Sequence, residues 1–95
     1  MASMFSRLLA RLFGNAAAPP EEDPVEYEGY RIRPTPFPRL GQYQTAGVIE
    51  KEVGGEVKEH RFVRSETHSS REEAVAYSIV KAKQIIDEQG DRIFG

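Results

Sequence analysis

His60 and His68, eight positions apart with Glu59 and Glu66 beside them, are the side chains of this chain best suited to hold a metal ion or relay a proton. No zinc-ligand spacing is matched, however, and both fall in a predicted hairpin whose end makes a poor cage, so a solvated or capping role is the better reading. Ser65, Thr67, Ser69 and Ser70 crowd around His68 and offer hydroxyls that a base activates in nucleophilic catalysis. A strand-to-helix turn needs the same residue types to cap the free amides of a helix, and capping takes precedence. Gly41, Gly47, Gly54 and Gly55 form no phosphate-cradling loop between a strand and a helix. The adjacent carboxylates Glu72 and Glu73 sit at a helix start, where they complement the dipole and flank no cleft. With no cysteine there is no thiol nucleophile, thiolate metal site or disulfide. The expectation is a non-enzyme with no cofactor, no metal and no small-molecule substrate.

Binding chemistry is better represented. Arg31 and Arg33 alternate along one strand, and Arg39, Lys51, Lys58, Arg61 and Arg64 follow on a loop and hairpin, forming a candidate basic ribbon for a phosphate backbone or a charged protein. Charge is unevenly spread in a chain of net charge −2: residues 30–64 carry seven basic and four acidic side chains, whereas 21–29 carry five acidic and no basic ones. Glu50, Glu52, Glu56 and Glu59 interleave with the ribbon and weaken the field that a phosphate would feel. A solvated hairpin face is the competing reading of the same stretch.

The elements that must position these groups follow from periodicity. Ninety-five residues with 39% apolar and 29% charged side chains describe one small globular domain. No apolar run approaches the roughly 20 residues of a membrane-spanning helix. In MASMFSRLLARLFG, the residues Phe5, Leu8, Leu9, Leu12 and Phe13 share one helical face, which predicts a short amphipathic helix. That helix is a candidate surface for a membrane or a partner. A targeting presequence and an extra helix packed on its own domain are the alternatives. A Pro-rich and acidic linker follows, so residues 1–24 are set apart from a domain of residues 25–95.

From Val25 the pattern has period two. The segment VEYEGYRIRP predicts a first strand ended by Pro34, and the three prolines of PTPFPRLG predict an extended connection. A second strand is expected from about Gln42 to Val53 and a third from about Val57 to Ser65, joined by Gly54-Gly55. The register stays open. A two-residue loop sets Lys51 opposite Lys58 and buries Ile49 on the side of Phe62, whereas a loop one residue longer pairs opposite charges. Ser70-Arg71-Glu72-Glu73 is a capping box. It opens a helix over about Arg71 to Gln89 whose stripe is Val75, Ser78, Ile79, Ala82, Ile85 and Ile86, and Gly90 ends it. The predicted fold class is α+β: a three-stranded antiparallel sheet on one long C-terminal helix (βββα), preceded by the short amphipathic helix. One long helix covers one face of such a sheet and leaves the other face and an edge strand free.

The stretches IEKEVGGEVKEHRF and KAKQIIDEQGDRIF, with EYEGYRIRPTP at the first strand, resemble the HlyU family of small bacterial proteins, described as transcriptional activators. The likeness covers about Val25 to Phe94, and an amphipathic start containing SRLLARLFG also suits it. It implies a regulatory role in the bacterial cytoplasm, through DNA or a protein partner. No helix-turn-helix accompanies it, and it brings no catalytic or metal residues. A protein-interaction module using the open sheet face or edge, with a second copy of the chain as a candidate partner, is the other reading. The IDEQGDR end, distinctive of the family that the chain resembles, is acidic. It suits a solvated helix end and closing tail, a specific partner, or salt bridges to the sheet arginines.

Overall fold

The computed structural model describes residues 23–95 as an antiparallel sheet under one helix. The strands are β1 (Val25–Tyr27), β2 (Tyr30–Pro34), β3 (Phe37–Arg39), β4 (Gln42–Val53) and β5 (Glu56–His68). They are followed by α1 (Arg71–Gln89) and a closing 3-10 turn (Gly90–Phe94). The long β4 is central: β5 lies along one edge, while β2 and β3 lie end to end along the other, with β1 outside β2. The α+β class and the single C-terminal helix are as expected, but five strands replace the predicted three. The predicted N-terminal helix and its face Phe5, Leu8, Leu9, Leu12 and Phe13 lie outside the described residues.

Both extra strands come from turns that their residue types concealed. Glu28-Gly29 reverses the chain between β1 and β2, and Leu40-Gly41 does so between β3 and β4. Their φ values of 52° and 83°, and of 51° and 78°, follow the pattern of Gly54-Gly55 (58° and 84°), the two consecutive positive φ angles of a type I′ hairpin. Glutamate and leucine rarely accept positive φ, so neither pair reads as a hairpin signal. The Pro-rich connection pairs as β3 because it lies at the sheet edge, where the missing Pro38 amide is needed by no neighbour.

The β4–β5 hairpin adopts the two-residue loop, with Glu50 opposite Glu59 and Lys51 opposite Lys58. Like charges face each other because burial outweighs exposed charge pairs, which are worth only roughly 0.2–1 kcal/mol each. In this register Ile49 joins Ile32 and Phe62 in the core. Phe62 lies directly opposite Gly47, and a Cβ at Gly47 would stand 2.7 Å from the Phe62 ring. The register shifts between Gln44 and Ala46, where β5 holds extra residues.

Ser70 caps α1, its hydroxyl accepting from the Glu73 amide at 3.1 Å while donating to the Glu73 carboxylate at 3.3 Å. Ala74, Ser78, Ala82, Ile85 and Ile86 are the fully buried side of the helix. Val75 and Ile79, predicted in the same stripe, are half-buried at its margin. Ser78 accepts from the Ala46 amide at 3.2 Å and donates to the Ala74 carbonyl at 2.6 Å, which joins the helix to the irregular stretch of β4. The core is Tyr30, Ile32, Ile49, Phe62, Ala82, Ile85, Ile86 and Ile93, between the helix and one face of the sheet.

Candidate partner-binding face

Paired residues of an antiparallel sheet project to the same side, so the register sorts every candidate basic residue. Tyr30, Ile32, Gly47, Ile49, Lys51, Lys58 and Phe62 share the helix side. Arg31, Arg33 and Arg61 share the opposite side with Glu26, Val48, Glu50 and Glu59. Arg39 reaches that side too, donating to Gln44 at 3.3 Å. By alternation along β5, Arg64 falls on the side of Phe62 and Glu66. The predicted ribbon is therefore divided: four arginines on the open face, and Lys51, Lys58 and Arg64 behind it.

Lys51 is engaged in a structural latch. Its ammonium lies 2.9 and 3.3 Å from the two Asp91 carboxylate oxygens and 4.7 Å from the Tyr30 ring centroid. Tyr30 donates its hydroxyl to the same carboxylate, and its ring stacks on Phe94 at 6.2 Å. The Tyr30 and Lys51 hydrogen bonds hold Asp91 below its ordinary range, while bonding to Asp91 raises both Tyr30 and Lys51. One helical turn earlier Tyr27 donates to Asp87 at 2.7 Å, which raises the Tyr27 hydroxyl. The acidic IDEQGDR end thus fastens the helix terminus to sheet tyrosines and a lysine, where salt bridges to arginines were one of the expectations.

His68 is likewise structural, its ring 4.9 Å from that of Tyr77 and its Nε2 3.3 Å from the Thr45 hydroxyl. Nearby, Tyr77 donates to Glu66 at 3.3 Å and Lys81 stands 4.0 Å away. The Glu66 backbone amide, then Lys81 and Tyr77, hold that carboxyl below its usual range against the opposing effect of burial. Among the described residues no three histidine, cysteine or acidic side chains converge as metal ligands.

On the open face three of the four arginines have a carboxylate nearby: Arg33 to Glu50 at 2.8 Å, Arg31 to Glu26 at 3.4 Å and Arg61 to Glu59 at 3.9 Å. Val48 lies in register between Arg33 and Arg61 and is only 3% exposed, and its neighbours Ala46 and Gln44 on the same side are buried as well. Val63 beside it is 60% exposed, and Phe37 is 38% exposed at the β3 end. Two shallow grooves of about 280 Å³ each lie at opposite ends, one including Glu26, Arg31, Glu50, Glu52 and Val57, the other Arg39, Gln42, Gln44, Ser65 and Thr67. Leu40 borders the second groove. It is 92% exposed and held at positive φ, an unfavourable place for leucine both sterically and by solvation. Among the described residues, the helix contacts the sheet from the core side alone.

The family model for the transcriptional activator HlyU matches residues 3–94, nearly the whole chain. The chain belongs to the HlyU family. No curated protein and no solved structure matches it. For this HlyU-family protein, the stretches that carry the family likeness map onto the β4–β5 hairpin and the latch. The acidic members of the open face, Glu26, Glu50, Glu52 and Glu59, were not singled out from sequence as a contact surface. Period-two alternation across the hairpin was the signal for them, readable only once the register was fixed.

Proposed function

We propose that this HlyU-family protein is a non-catalytic transcriptional regulator of the bacterial cytoplasm that acts by contacting protein through the open face of its sheet, without gripping duplex DNA. The observation that carries this reading is local neutralisation. Arg31, Arg33 and Arg61 each have a carboxylate within 4 Å, and the face as a whole sets Glu26, Glu50, Glu52 and Glu59 against Arg31, Arg33, Arg39 and Arg61. Duplex binding draws on uncompensated cations that displace counterions from phosphates, and ion-paired arginines provide little of that. Protein interfaces instead favour arginine, apolar contacts and a polar rim, which the exposed Val63 and Phe37 and the surrounding charges supply.

Titration of a fluorescently labelled duplex with the purified chain at low salt tests the reading. Anisotropy stays flat if protein is the partner. Binding that weakens steeply as salt rises, and is lost in Arg33→Gln/Arg61→Gln, would overturn it.

A further inference from the structure

The two edges of the sheet differ in character. On one side the outer strands β1 and β3 are three residues each and β3 carries Pro38, which are common ways of blunting an edge. On the other side β5 runs 13 residues without a proline, and among the described residues no strand pairs with its outer side. Its irregularity, the extra residues at 64–66, lies beyond a regular stretch from Glu56 to Val63.

The hairpin register fixes which main-chain groups that edge presents. Residues that close a two-residue loop exchange both N–H···O bonds, and every second pair repeats the exchange. Val53 and Glu56 close this loop, so Glu56, Lys58, His60 and Phe62 bond to β4, while Val57, Glu59, Arg61 and Val63 turn their N–H and C=O groups outward. The phase agrees on β4, where the Ala46 carbonyl, opposite Val63, accepts from the Thr35 amide at 2.9 Å on the far side. The side chains of the outward four stand at the β5 margin of the sheet, and Val57 and Val63 are 48% and 60% exposed.

We infer that the β5 edge is the contact for a second copy of the chain, paired antiparallel about a two-fold axis at His60 so that two sheets become one. The order of residues along the strand carries this assignment, because Glu56 to Arg64 is complementary to its own reverse. Val57 meets Val63 of the other copy and Glu59 meets Arg61, each pair exchanging the outward N–H···O bonds. On the helix side Glu56 meets Arg64 of the other copy and Lys58 meets Phe62. Moving the axis one residue either way sets Glu59 against Glu59 or Arg61 against Arg61, and like charges directly opposed are destabilising. The Arg61–Glu59 contact within one strand is 3.9 Å between exposed groups, loose enough for both to reach across, where the four charges alternate in sign.

This edge is separate from the buried middle of the open face, and the pairing goes beyond the protein-contact reading and stands without it. Residues 56–64 give a contact roughly 30 Å long at ~3.4 Å per residue and on the order of 10–15 Å deep. That is about 300–450 Å² per partner, against ~800 Å² for a standard interface. The contact is isologous, closed at two copies and weak, with a dissociation constant on the order of 10–100 µM.

Sedimentation equilibrium of the full chain up to roughly 200 µM should show monomer and dimer in exchange. Glu59→Arg and Arg61→Glu each place like charges across the axis and should raise the dissociation constant on the order of tenfold or more, while their equimolar mixture should dimerise as the parent does. Both side chains are exposed, so circular dichroism should report an unchanged fold. The absence of cysteine from the chain lets the register be read by diamide oxidation of single-cysteine variants. Opposed residues of the non-hydrogen-bonded pair on the axis stand roughly 4.5 Å apart at Cα, within reach of a disulfide, so His60→Cys should form a linked dimer. In Lys58→Cys the two positions stand roughly 14 Å apart, and that variant should stay largely unlinked.

A parent that remains monomeric at that concentration overturns the inference. So does a dimer indifferent to both charge variants, a mixture that fails to recover, or linking of Lys58→Cys as fast as His60→Cys. The duplex titration on the parent is scored separately, since its result bears on the open face and not on the edge.

Discussion

Replacing Gly47 with alanine probes the close packing of the Phe62 ring on the backbone opposite it. A Cβ at this position would lie 2.7 and 2.8 Å from two carbons of the Phe62 ring and 3.2 Å from the Arg33 carbonyl oxygen. Carbon contacts settle near 3.5–4.0 Å, so the ring must retreat by roughly 1 Å, and Phe62 is only 7% exposed in a packed core. Overpacking of this kind costs about 1–3 kcal/mol. Relief of a strand-interior glycine returns about 0.5–1 kcal/mol, which leaves a net destabilisation of about 0–2.5 kcal/mol, centred near 1. In a Phe62→Leu background the obstructing ring is gone, and the same Gly47→Ala change should stabilise by a few tenths to about 1 kcal/mol. Urea unfolding of the four proteins followed by far-ultraviolet circular dichroism measures both steps, an apt probe for a chain without tryptophan. The reasoning fails if Gly47→Ala matches or exceeds the parent in stability, or if its effect is the same in both backgrounds.

Three further changes test other joints. Ser78→Ala removes the hydroxyl that links the Ala46 amide to the helix and should cost about 1–3 kcal/mol in denaturant unfolding; a loss under about 0.5 kcal/mol would show the link to be idle. Leu40→Asn should stabilise by about 0.5–1 kcal/mol, since asparagine tolerates the left-handed conformation that leucine resists, and a lowered midpoint would show that Leu40 makes a contact within the fold. The latch predicts the pH dependence. Asp91 is held below its ordinary 3.8, so its contribution is present above that value and is lost as pH falls through the lower folded value. Tyr30 and Lys51 are raised, so theirs is present below their ordinary 10.0 and 10.5 and is lost as pH rises through the folded values. Thermal midpoints across pH should show Asp91→Asn with a shallower acid limb than the parent, part of that limb remaining to Glu66; a parallel limb would remove Asp91 from the account.

The helix was legible in the sequence because its signals are local: Ser70 and Glu73 lie three residues apart, and the stripe repeats at helical spacing within one segment. The β4–β5 hairpin was legible through Gly54-Gly55, though its register was a contest between weak charge pairs and the burial of Ile49, which burial won. The two other hairpins were hidden because glutamate and leucine occupy turn positions that favour glycine or asparagine. Lys51 looked like a phosphate contact because its partner, Asp91, is 40 residues away and no local pattern links them. The gathering of four carboxylates and four arginines on the open face was hidden for the same reason: it exists only after five strands are set side by side.

If the open face is the working surface, its chemistry must matter in the cell while the outer side of the helix does not. The most direct measurement is a transcriptome comparison in the native host, with the gene deleted or replaced by Arg39→Glu/Arg61→Glu on the face or Val80→Glu on the exposed side of α1. The account predicts that the face variant, at normal protein level, reproduces the deletion profile and that Val80→Glu matches the parent. A face variant indistinguishable from the parent, in a strain where deletion does change transcription, would contradict it.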